Sequence, residues 1–370
     1  YYYYAGLADK IEGSTLPIDK LDMQVFTTRE PIGVVAAIIP WNSQMFLTAV
    51  KLAPALAMGN TIVIKASEIA PAPLFEFAKL IDKIGLPKGV INIITGHGNE
   101  CGKILTSHPL VERIAFTGGV NTARHIVRNS AENLSHVTLE LGGKSPTIIG
   151  DGANLHLAAK RILFAKTVNA GQICLAPDYV FVKRGSENSL VNELRTVFHD
   201  FYPEKGRHDY TSMVNADHFI RINSCIEDAV SKGANVINLG KFDAKDQNLI
   251  TTKVLLNVTS EMEVMKKEIF GPILPILSYE NLEEVVNYIN AHDRPLGLYF
   301  FGHRKKDHQY IIKNTRSGGV TFNDALFHLL QSRLPFGGVG ESGYGCYHGF
   351  EGFLNFSNLK SIYYQIIYKV

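Results

Sequence analysis

Short apolar runs alternate with amphipathic stretches from about residue 33 onward, and this alternation predicts the fold class. Five runs have the Val/Ile-rich composition of buried strands: GVVAAIIP (33–40), NTIVIKA (60–66), VINIITG (90–96), RIAFTGG (113–119) and VTLELGG (137–143). Helical patterns separate them, over 43–58, 72–84, 99–107 and 122–130. Such runs are typical of a parallel sheet covered by helices on both faces, so we predict a doubly wound α/β domain over 32–143.

A second α/β set follows and predicts a further domain over 144–354. Its helical patterns cover 155–168, 190–201, 217–231 and 282–291, and its strand-like runs are YVFVK (179–183), TKVLLNV (252–258), LGLYFFG (296–302) and GGVTFN (318–323). Residues 13–31 and 355–370 alternate only weakly. We expect them to form strands that pair at a sheet edge or with another subunit.

The composition is that of an ordinary globular protein. The chain has 370 residues, 46% hydrophobic and 19% charged, with a net charge of +2, so charge gives no argument for nucleic acid or an anionic membrane as a partner. No apolar run is long enough to span a membrane. Four scattered cysteines without a C-x-x-C pair argue against a bound metal and a disulfide framework, and favour the reducing cytoplasm.

Two glycine-rich stretches are candidates for binding phosphate. GVGESG (338–343) matches G-x-G-x-x-G, but Pro335 precedes it and further glycines follow, so we interpret it as a structural loop. FTGG (116–119) ends a strand and precedes a helix, whose free N–H groups attract anions, although most such junctions are only turns.

Lys65 and Glu68 follow another strand, at the edge where open α/β sheets bind ligands. A carboxylate at Glu68 could accept both ribose hydroxyls of a nucleotide and would repel a 2′-phosphate. The alternative is a solvated surface pair.

Three polar residues are candidates for catalysis. Asn42 could donate its amide to an oxyanion, or simply cap a helix. Glu140 could be a buried general base, or a carboxylate turned to solvent at a strand tip. Cys174 could be a nucleophile, or an inert buried thiol. No one of these residues decides the function when taken alone.

PWN, IVIKASE, IAFTGG, LELGGKSP, GQICLAP, EIFGPILP and LPFGGVGESGYG occur in this order along the chain. The set resembles the NAD(P)-dependent aldehyde dehydrogenase superfamily over essentially the whole sequence. The first half is similar to the broad-specificity tetrameric branch, and the second half to the coniferyl and fatty aldehyde branch.

The resemblance implies a catalytic role for each of the three candidates. Cys174 matches the nucleophile that forms a thiohemiacetal and then a thioester. Asn42 and the backbone N–H of Cys174 match the groups that hold the oxyanion. Glu140 matches the base that activates water for hydrolysis, which argues against the CoA-acylating members of the superfamily.

The resemblance also implies a set of cofactor-binding residues for NAD, with NADP as a second possibility. These are Ile39, Trp41, Lys65, Glu68, Gly98, Gly118, Gly119, Leu141, Glu268 and Phe270. Within the set, Lys65 and Glu68 match ligands of the adenine ribose, and Glu268 matches the ligand of the nicotinamide ribose.

Two departures from the family pattern stand out. The usual turn reads F-T-G-S with a glycine four residues later, where this chain has Gly119 and Ala123; we expect cofactor binding to survive in altered form. The chain also begins at Tyr1 as if inside a helix, which indicates a fragment that lacks most of the family's N-terminal helical segment.

The resemblance assigns a role to each part of the chain. Residues 1–12 match the remnant of the helical segment, 32–143 the NAD(P)-binding domain and 144–354 the catalytic domain. Residues 13–31 and 355–370 match oligomerisation strands, which implies a homodimer or homotetramer.

Two other functions stay open: a catalytically silent member with a binding or structural role, and a cofactor-independent esterase acting through Cys174. The particular aldehyde is not readable from the sequence. The aromatic-rich segments 299–301 and 327–330 favour an apolar or aromatic one.

Overall fold

The computed structural model describes residues 1–20, 22–203, 209–240 and 247–366. Its strands, in chain order, are β1 (Thr15–Leu16), β2 (Met23–Pro31), β3 (Val34–Ile38), β4 (Thr61–Lys65), β5 (Ile91–Ile94), β6 (Val111–Gly118), β7 (His136–Leu141), β8 (Pro146–Ile149), β9 (Tyr179–Lys183), β10 (Asn235–Asn238), β11 (Lys253–Leu256), β12 (Ile273–Tyr279), β13 (Gly297–Phe301), β14 (Gly319–Phe322), β15 (Gly343–Tyr344) and β16 (Ser357–Gln365).

The α-helices lie mostly between consecutive strands, as the alternation of the sequence predicts. They are α1 (Tyr2–Ala5), α2 (Gln44–Ala57), α3 (Ala72–Lys83), α4 (Lys103–Thr106), α5 (Val120–Ser130), α6 (Leu155–Thr167), α7 (Glu187–Phe201), α8 (Ala216–Ser231), α9 (Glu263–Lys266), α10 (Leu282–Asn290), α11 (Lys305–Asn314) and α12 (Gly349–Leu354). A π-helical turn covers Gly98–Gly102 and a 3₁₀ turn covers Val168–Gly171.

The chain divides into two compact units. Unit 1 comprises residues 1–139, 332–336 and 345–370, and unit 2 comprises 140–331 and 337–344. The chain passes from unit 1 to unit 2 near the end of β7.

Unit 1 contains a sheet in which neighbouring strands follow the order β7-β6-β3-β4-β5. Strand β3 pairs in parallel with both β4 and β6, so the strand order reverses between β3 and β6. Its buried side chains, such as Val35, Ile62 and Ile64, are apolar and pack with Leu47 and Leu52 of helix α2. This burial explains why the central strands β3 and β4 are nearly continuous apolar runs.

The terminal segments of unit 1 form a separate antiparallel sheet in the order β1-β2-β16. Strands β2 and β16 pair over nine residues each. The strand character expected for 13–31 and 355–370 is therefore present, while Leu21 and residues 367–370 lie outside the described part of the chain.

Unit 2 contains a seven-stranded sheet in the order β10-β11-β12-β9-β8-β13-β14. Its pairings are parallel, apart from the antiparallel pair of β10 with β11. Helices α8 and α10 contribute Ile222 and Val285 to the core beneath it. The predicted α/β architecture is thus present in both units.

The sequence pattern finds most of these elements to within about three residues, but it misses the strands β8, β10, β12 and β15 and the helices α9, α11 and α12. Strand β8 is only four residues long and begins at Pro146, and β12 contains Pro275. Proline normally argues against a central strand because it cannot donate to the ladder. Helix α11 is also missed, because its mean character is strongly polar. None of the helices that the structure describes combines the length and apolar character needed to cross a membrane.

Candidate functional site

A cavity of about 740 Å³ opens in unit 1 at the carboxyl ends of β3, β4 and β6. It lies beside the reversal of strand order between β3 and β6, where open α/β sheets bind their ligands. The structure brings seven of the ten predicted cofactor residues into its wall: Ile39, Trp41, Lys65, Glu68, Gly98, Gly118 and Gly119. The other three, Leu141, Glu268 and Phe270, belong to unit 2.

The FTGG turn leaves open backbone at the wall of this cavity. Strand β6 ends at Gly118, and a Cβ atom there would lie 2.6 Å from the Phe116 ring, so only glycine fits without a shift. Gly119 is the N-cap of α5 and has no side chain to cap the helix. The first N–H groups of a helix lack partners within it and carry partial positive charge, which suits an anion.

Lys65 and Glu68 form an ion pair at the end of β4. Lys65 Nζ lies 2.7 Å from Glu68 Oε2, and Lys65 is buried while the Glu68 side chain stays 40% exposed. Partial burial alone would raise the pKa of Glu68, but the hydrogen bond from Lys65 lowers it below its usual value. Glu68 is therefore a stable carboxylate facing the cavity, and not merely a solvated surface residue.

Cys174 lies in a tight turn of unit 2. The chain leaves α6 through the 3₁₀ turn, in which Asn169 and Ala170 adopt left-handed backbone conformations, and Ala176 N then donates to Ile173 O at 3.0 Å. Cys174 Sγ donates to Glu140 Oε1 at 3.4 Å. Glu140 is 1% exposed, so the carboxylate is not turned to solvent at the strand tip.

Burial and the neighbouring carboxylates keep the Cys174 thiol protonated in the resting protein. Burial raises the pKa of Cys174 well above its usual value, and the charges of Glu140 and Glu268 raise it further. A neutral thiol with a carboxylate within reach can become a nucleophile when the carboxylate accepts its proton.

Glu268 is buried near the same pair. Burial and the charge of Asp178 raise the pKa of Glu268 to about 8, although a hydrogen bond from the Gly143 backbone acts in the opposite direction. A Cβ atom on Gly142 would lie 2.0 Å from Glu268 Oε2, so the absence of a side chain at Gly142 makes room for Glu268. Glu268 Oε1 has no hydrogen-bond partner among the described residues, which leaves it able to accept from a ligand.

The GVGESG stretch forms a tight loop in unit 2. Gly343 N donates to Gly340 O at 3.1 Å, and Ser342 O accepts from Leu141 N at 3.0 Å. The loop continues into β15 and thus supports the backbone next to Glu140. This fits its interpretation as a structural loop.

Asn42 lies in unit 1, on the segment between β3 and α2. The N-cap residue of α2 is Ser43, so Asn42 does not occupy the capping position. No cluster of three or more potential metal ligands occurs within 1–20, 22–203, 209–240 and 247–366.

A model of the aldehyde dehydrogenase family matches residues 1–362. The chain belongs to this family. It is 42% identical over 335 residues to a probable coniferyl aldehyde dehydrogenase of Pseudomonas aeruginosa, covering 90% of this chain and 69% of that protein. It is 38% identical over 339 residues to aldehyde dehydrogenase family 3 member A2 of Rattus norvegicus, covering 91% and 68%.

Solved structures of the family have the same fold. Betaine aldehyde dehydrogenase from Staphylococcus aureus, in complex with NAD⁺, superimposes with a TM-score of 0.91 at 30% identity, covering 100% of this chain and 74% of that one. The predicted family, α/β fold and enzyme class, an aldehyde dehydrogenase, are therefore confirmed.

Sequence reasoning missed several residues that the structure places in the wall of the same cavity. Ser67, Asn99, Thr122 and His125 also line the cavity of unit 1. Thr122 and His125 lie one turn apart at the start of α5. Their spacing after FTGG was the feature of the sequence that could have identified them as cavity residues.

A second missed group holds the EIFGP segment around Glu268. Lys144 Nζ contacts Asp178 and donates to Val264 O at 2.8 Å, while Asp178 Oδ1 accepts from Ile269 N at 2.9 Å. Arg221 donates to Ile269 O at 2.8 Å and to Phe270 O at 3.2 Å. Lys144 lies inside the LELGGKSP motif and Asp178 directly follows GQICLAP, but nothing in the sequence pairs them.

Proposed function

We propose that the chain oxidises an aldehyde to a carboxylic acid through Cys174, with NAD as the hydride acceptor. The observation that carries the proposal is the 3.4 Å hydrogen bond from Cys174 Sγ to the buried Glu140 carboxylate. It supplies a nucleophile and a proton acceptor in one contact.

The reaction begins when Glu140 accepts the Sγ proton and the thiolate attacks the aldehyde carbon. A C–S bond forms, and the oxyanion of the thiohemiacetal is held by the Asn42 side-chain amide and the Cys174 backbone N–H. Preorganised donors of this kind contribute about 3 kcal/mol each to the transition state. The intermediate then re-forms its C=O bond, releases hydride and becomes a thioester.

Hydrolysis completes the cycle. Glu140, after passing its proton to solvent, deprotonates a water molecule that attacks the thioester carbon. The C–S bond breaks, the carboxylic acid leaves and Sγ regains a proton. The resting state of Cys174 and Glu140 is restored.

The residues of unit 1 fit a dinucleotide. Gly118 and Gly119 leave backbone free for a pyrophosphate, and the Glu68 carboxylate can accept two ribose hydroxyls while repelling a 2′-phosphate. When bound, NAD accepts the hydride. In unit 2, Glu268 offers an unpartnered buried oxygen to the nicotinamide ribose, and the proposal places Leu141 and Phe270 beside it. NADP remains a second cofactor, disfavoured by Glu68.

We keep the predicted domains, with an NAD(P)-binding domain over 32–143 that also supplies Asn42 and Glu140 to the reaction, and a catalytic domain over 144–354 that carries Cys174, in a cytoplasmic homodimer or homotetramer. An apolar or aromatic aldehyde is the proposed substrate. The resemblance to a coniferyl aldehyde dehydrogenase supports this. Of the two aromatic-rich segments, 327–330 leaves Phe327 partly exposed, and this agrees with an apolar substrate. Tyr299, Phe300 and Phe301 do not support it, because they are core residues at most 2% exposed.

The test is NADH formation with a panel of aldehydes, comparing the wild type with Cys174→Ala and with Cys225→Ala as the control. We expect Cys174→Ala to abolish oxidation and Cys225→Ala to leave it intact. Unchanged oxidation by Cys174→Ala would contradict the mechanism. Ester turnover without NAD and without aldehyde oxidation would favour the esterase alternative. Folded wild-type protein that oxidises none of the aldehydes would favour the silent alternative.

A further inference from the structure

The turn that carries Cys174 is held from both sides by buried side chains of unit 2. Before it, Gln172 is 1% exposed; its Nε2 donates to Ser212 O at 3.2 Å and its Oε1 accepts from Val214 N at 3.0 Å. After it, Tyr299 Oη donates to Leu175 O at 2.7 Å. The residues on each side of the nucleophile are thus tied to distant parts of the unit.

Tyr299 is rigidly placed. It lies on β13 and is fully buried, and it pairs in register with Thr147 of β8 and Thr321 of β14. A residue in the interior of a sheet with partners on both sides has little freedom to move. Its hydroxyl therefore fixes Leu175 O relative to the central sheet of unit 2.

Gly297 makes the contact possible. It lies two residues before Tyr299 on β13, on the same face of the strand. A Cβ atom there would lie 2.8 Å from Leu175 Cδ2 and 2.9 Å from Tyr299 Oη. The absence of a side chain at 297 lets the turn and the hydroxyl approach each other.

We propose that Tyr299 is a positioning residue for the reaction: its hydroxyl anchors Leu175 O and thereby fixes the turn that presents Cys174 Sγ to Glu140. The inference rests on the proposed role of Cys174 as nucleophile. Beyond that role, Tyr299 on β13 determines how Cys174 Sγ is aligned with its proton acceptor, Glu140. Burial and the neighbouring Cys174 raise the pKa of Tyr299, so the hydroxyl keeps its proton and remains a donor.

The chain supplies a matched control. Tyr279, at the end of β12, is 2% exposed and donates its hydroxyl to Ile149 O at 2.8 Å. It is therefore a second buried tyrosine bonded to a backbone carbonyl in the same unit, but at Ile149 and not at the turn. Tyr279→Phe measures how much thermal stability is lost with such a hydrogen bond. Tyr299→Phe measures the same loss of stability together with any effect on the reactivity of Cys174.

The experiment compares both variants with the wild type for aldehyde oxidation, NAD affinity, thermal midpoint and the rate of Cys174 alkylation by iodoacetamide across pH. We expect Tyr299→Phe to lower kcat about 10- to 100-fold, since a small misplacement of reacting groups has effects of this size. The pH profile of alkylation should also shift, while NAD affinity stays the same. We expect Tyr279→Phe to keep wild-type kcat at a similar loss of thermal stability. Equal kcat in the two variants would overturn the proposal.

A second variant covers the case in which Tyr299→Phe fails to fold. Gly297→Ala keeps the hydroxyl but crowds it against Leu175, and we expect the same fall in kcat. Wild-type kcat in Gly297→Ala would overturn the proposal. The proposal would also be overturned if Tyr299→Phe and Gly297→Ala both failed to fold while Tyr279→Phe folded, because the hydrogen bond from Tyr299 to Leu175 O would then serve stability alone. A wild-type protein without any aldehyde oxidation would instead contradict the proposed function.

Discussion

The pairing of Cys174 with Glu140 joins two residues that the sequence leaves ambiguous. Each has an unremarkable alternative, an inert thiol for one and a solvated carboxylate for the other. Their 3.4 Å contact and the burial of Glu140 remove the second alternative, because a carboxylate 1% exposed is not solvated. Periodicity could indicate where β7 ends, but the loops that follow decide which side chain Glu140 meets.

Replacing Glu140 separates its two effects on the thiol. Glu140→Gln removes a proton acceptor, so we expect steady-state aldehyde oxidation to fall about 10²- to 10⁴-fold. It also removes a negative charge that raises the pKa of Cys174. The alkylation of Cys174, which follows the thiolate fraction, should therefore shift to lower pH.

Activity and alkylation should thus change in opposite directions at neutral pH in Glu140→Gln. The measurements are NADH formation and iodoacetamide labelling, each across pH. Glu193→Gln, at a partly exposed position of unit 2, is the control. An alkylation profile that stays in place would show that the Glu140 charge does not act on Cys174.

Glu68 should decide between the two nicotinamide cofactors. Its carboxylate repels a 2′-phosphate and also neutralises Lys65, whose Nζ lies 2.7 Å away. Glu68→Gln removes the repulsion and frees the Lys65 cation, so we expect kcat/KM for NADP relative to NAD to rise about tenfold. Exposed Glu76→Gln on α3 is the control, and an unchanged ratio would exclude Glu68 as the selector.

At the scale of elements, the parallel sheet of unit 1 and its cavity follow from the sequence, because continuous apolar strands and glycine turns are local signals. The central strands β8 and β12 of unit 2 do not. Their short length and prolines hide them, and their burial depends on neighbours distant in sequence. The same holds for the Lys144–Asp178 contact, which no spacing rule connects.

A single substitution in the turn between β6 and α5, Gly119→Ser, should strengthen NAD binding. Gly119 has an extended backbone that any residue adopts, and a Cβ atom there meets nothing within 4 Å. Serine restores the hydroxyl of the usual family turn, so we expect Gly119→Ser to bind NAD about tenfold more tightly, in line with a hydrogen bond to a charged group. Serine is also favoured at an N-cap.

Gly119→Ala separates the hydroxyl from the Cβ atom. We expect its NAD dissociation constant, measured by fluorescence titration, to match that of the wild type. If Gly119→Ala and Gly119→Ser bound NAD equally more tightly than the wild type, the cause would be a more rigid backbone and not the serine hydroxyl.

For the molecule as a whole, the sequence identifies the family and both α/β units, but assembly depends on surfaces. Strand β16 pairs with β2 on one side, and its other edge has no strand partner among the described residues. Leu359, Tyr363 and Tyr364 on this strand are 51–62% exposed. A long exposed edge with apolar side chains is a template for pairing with another chain.

We therefore expect the wild type to be a dimer or larger in light scattering, and Leu359→Lys combined with Tyr363→Lys to shift the mass to that of one chain. Leu359 and Tyr363 lie four residues apart on one face of β16, so the two lysines place like charges directly in the proposed contact. Leu110→Lys, which replaces a residue 67% exposed elsewhere on unit 1, controls for the loss of surface leucine. Circular dichroism should show the same secondary structure in all three proteins. If the wild type had the mass of one chain, oligomerisation would be rejected. If the double variant kept the mass of an oligomeric wild type, the contact between chains would not involve this face of β16.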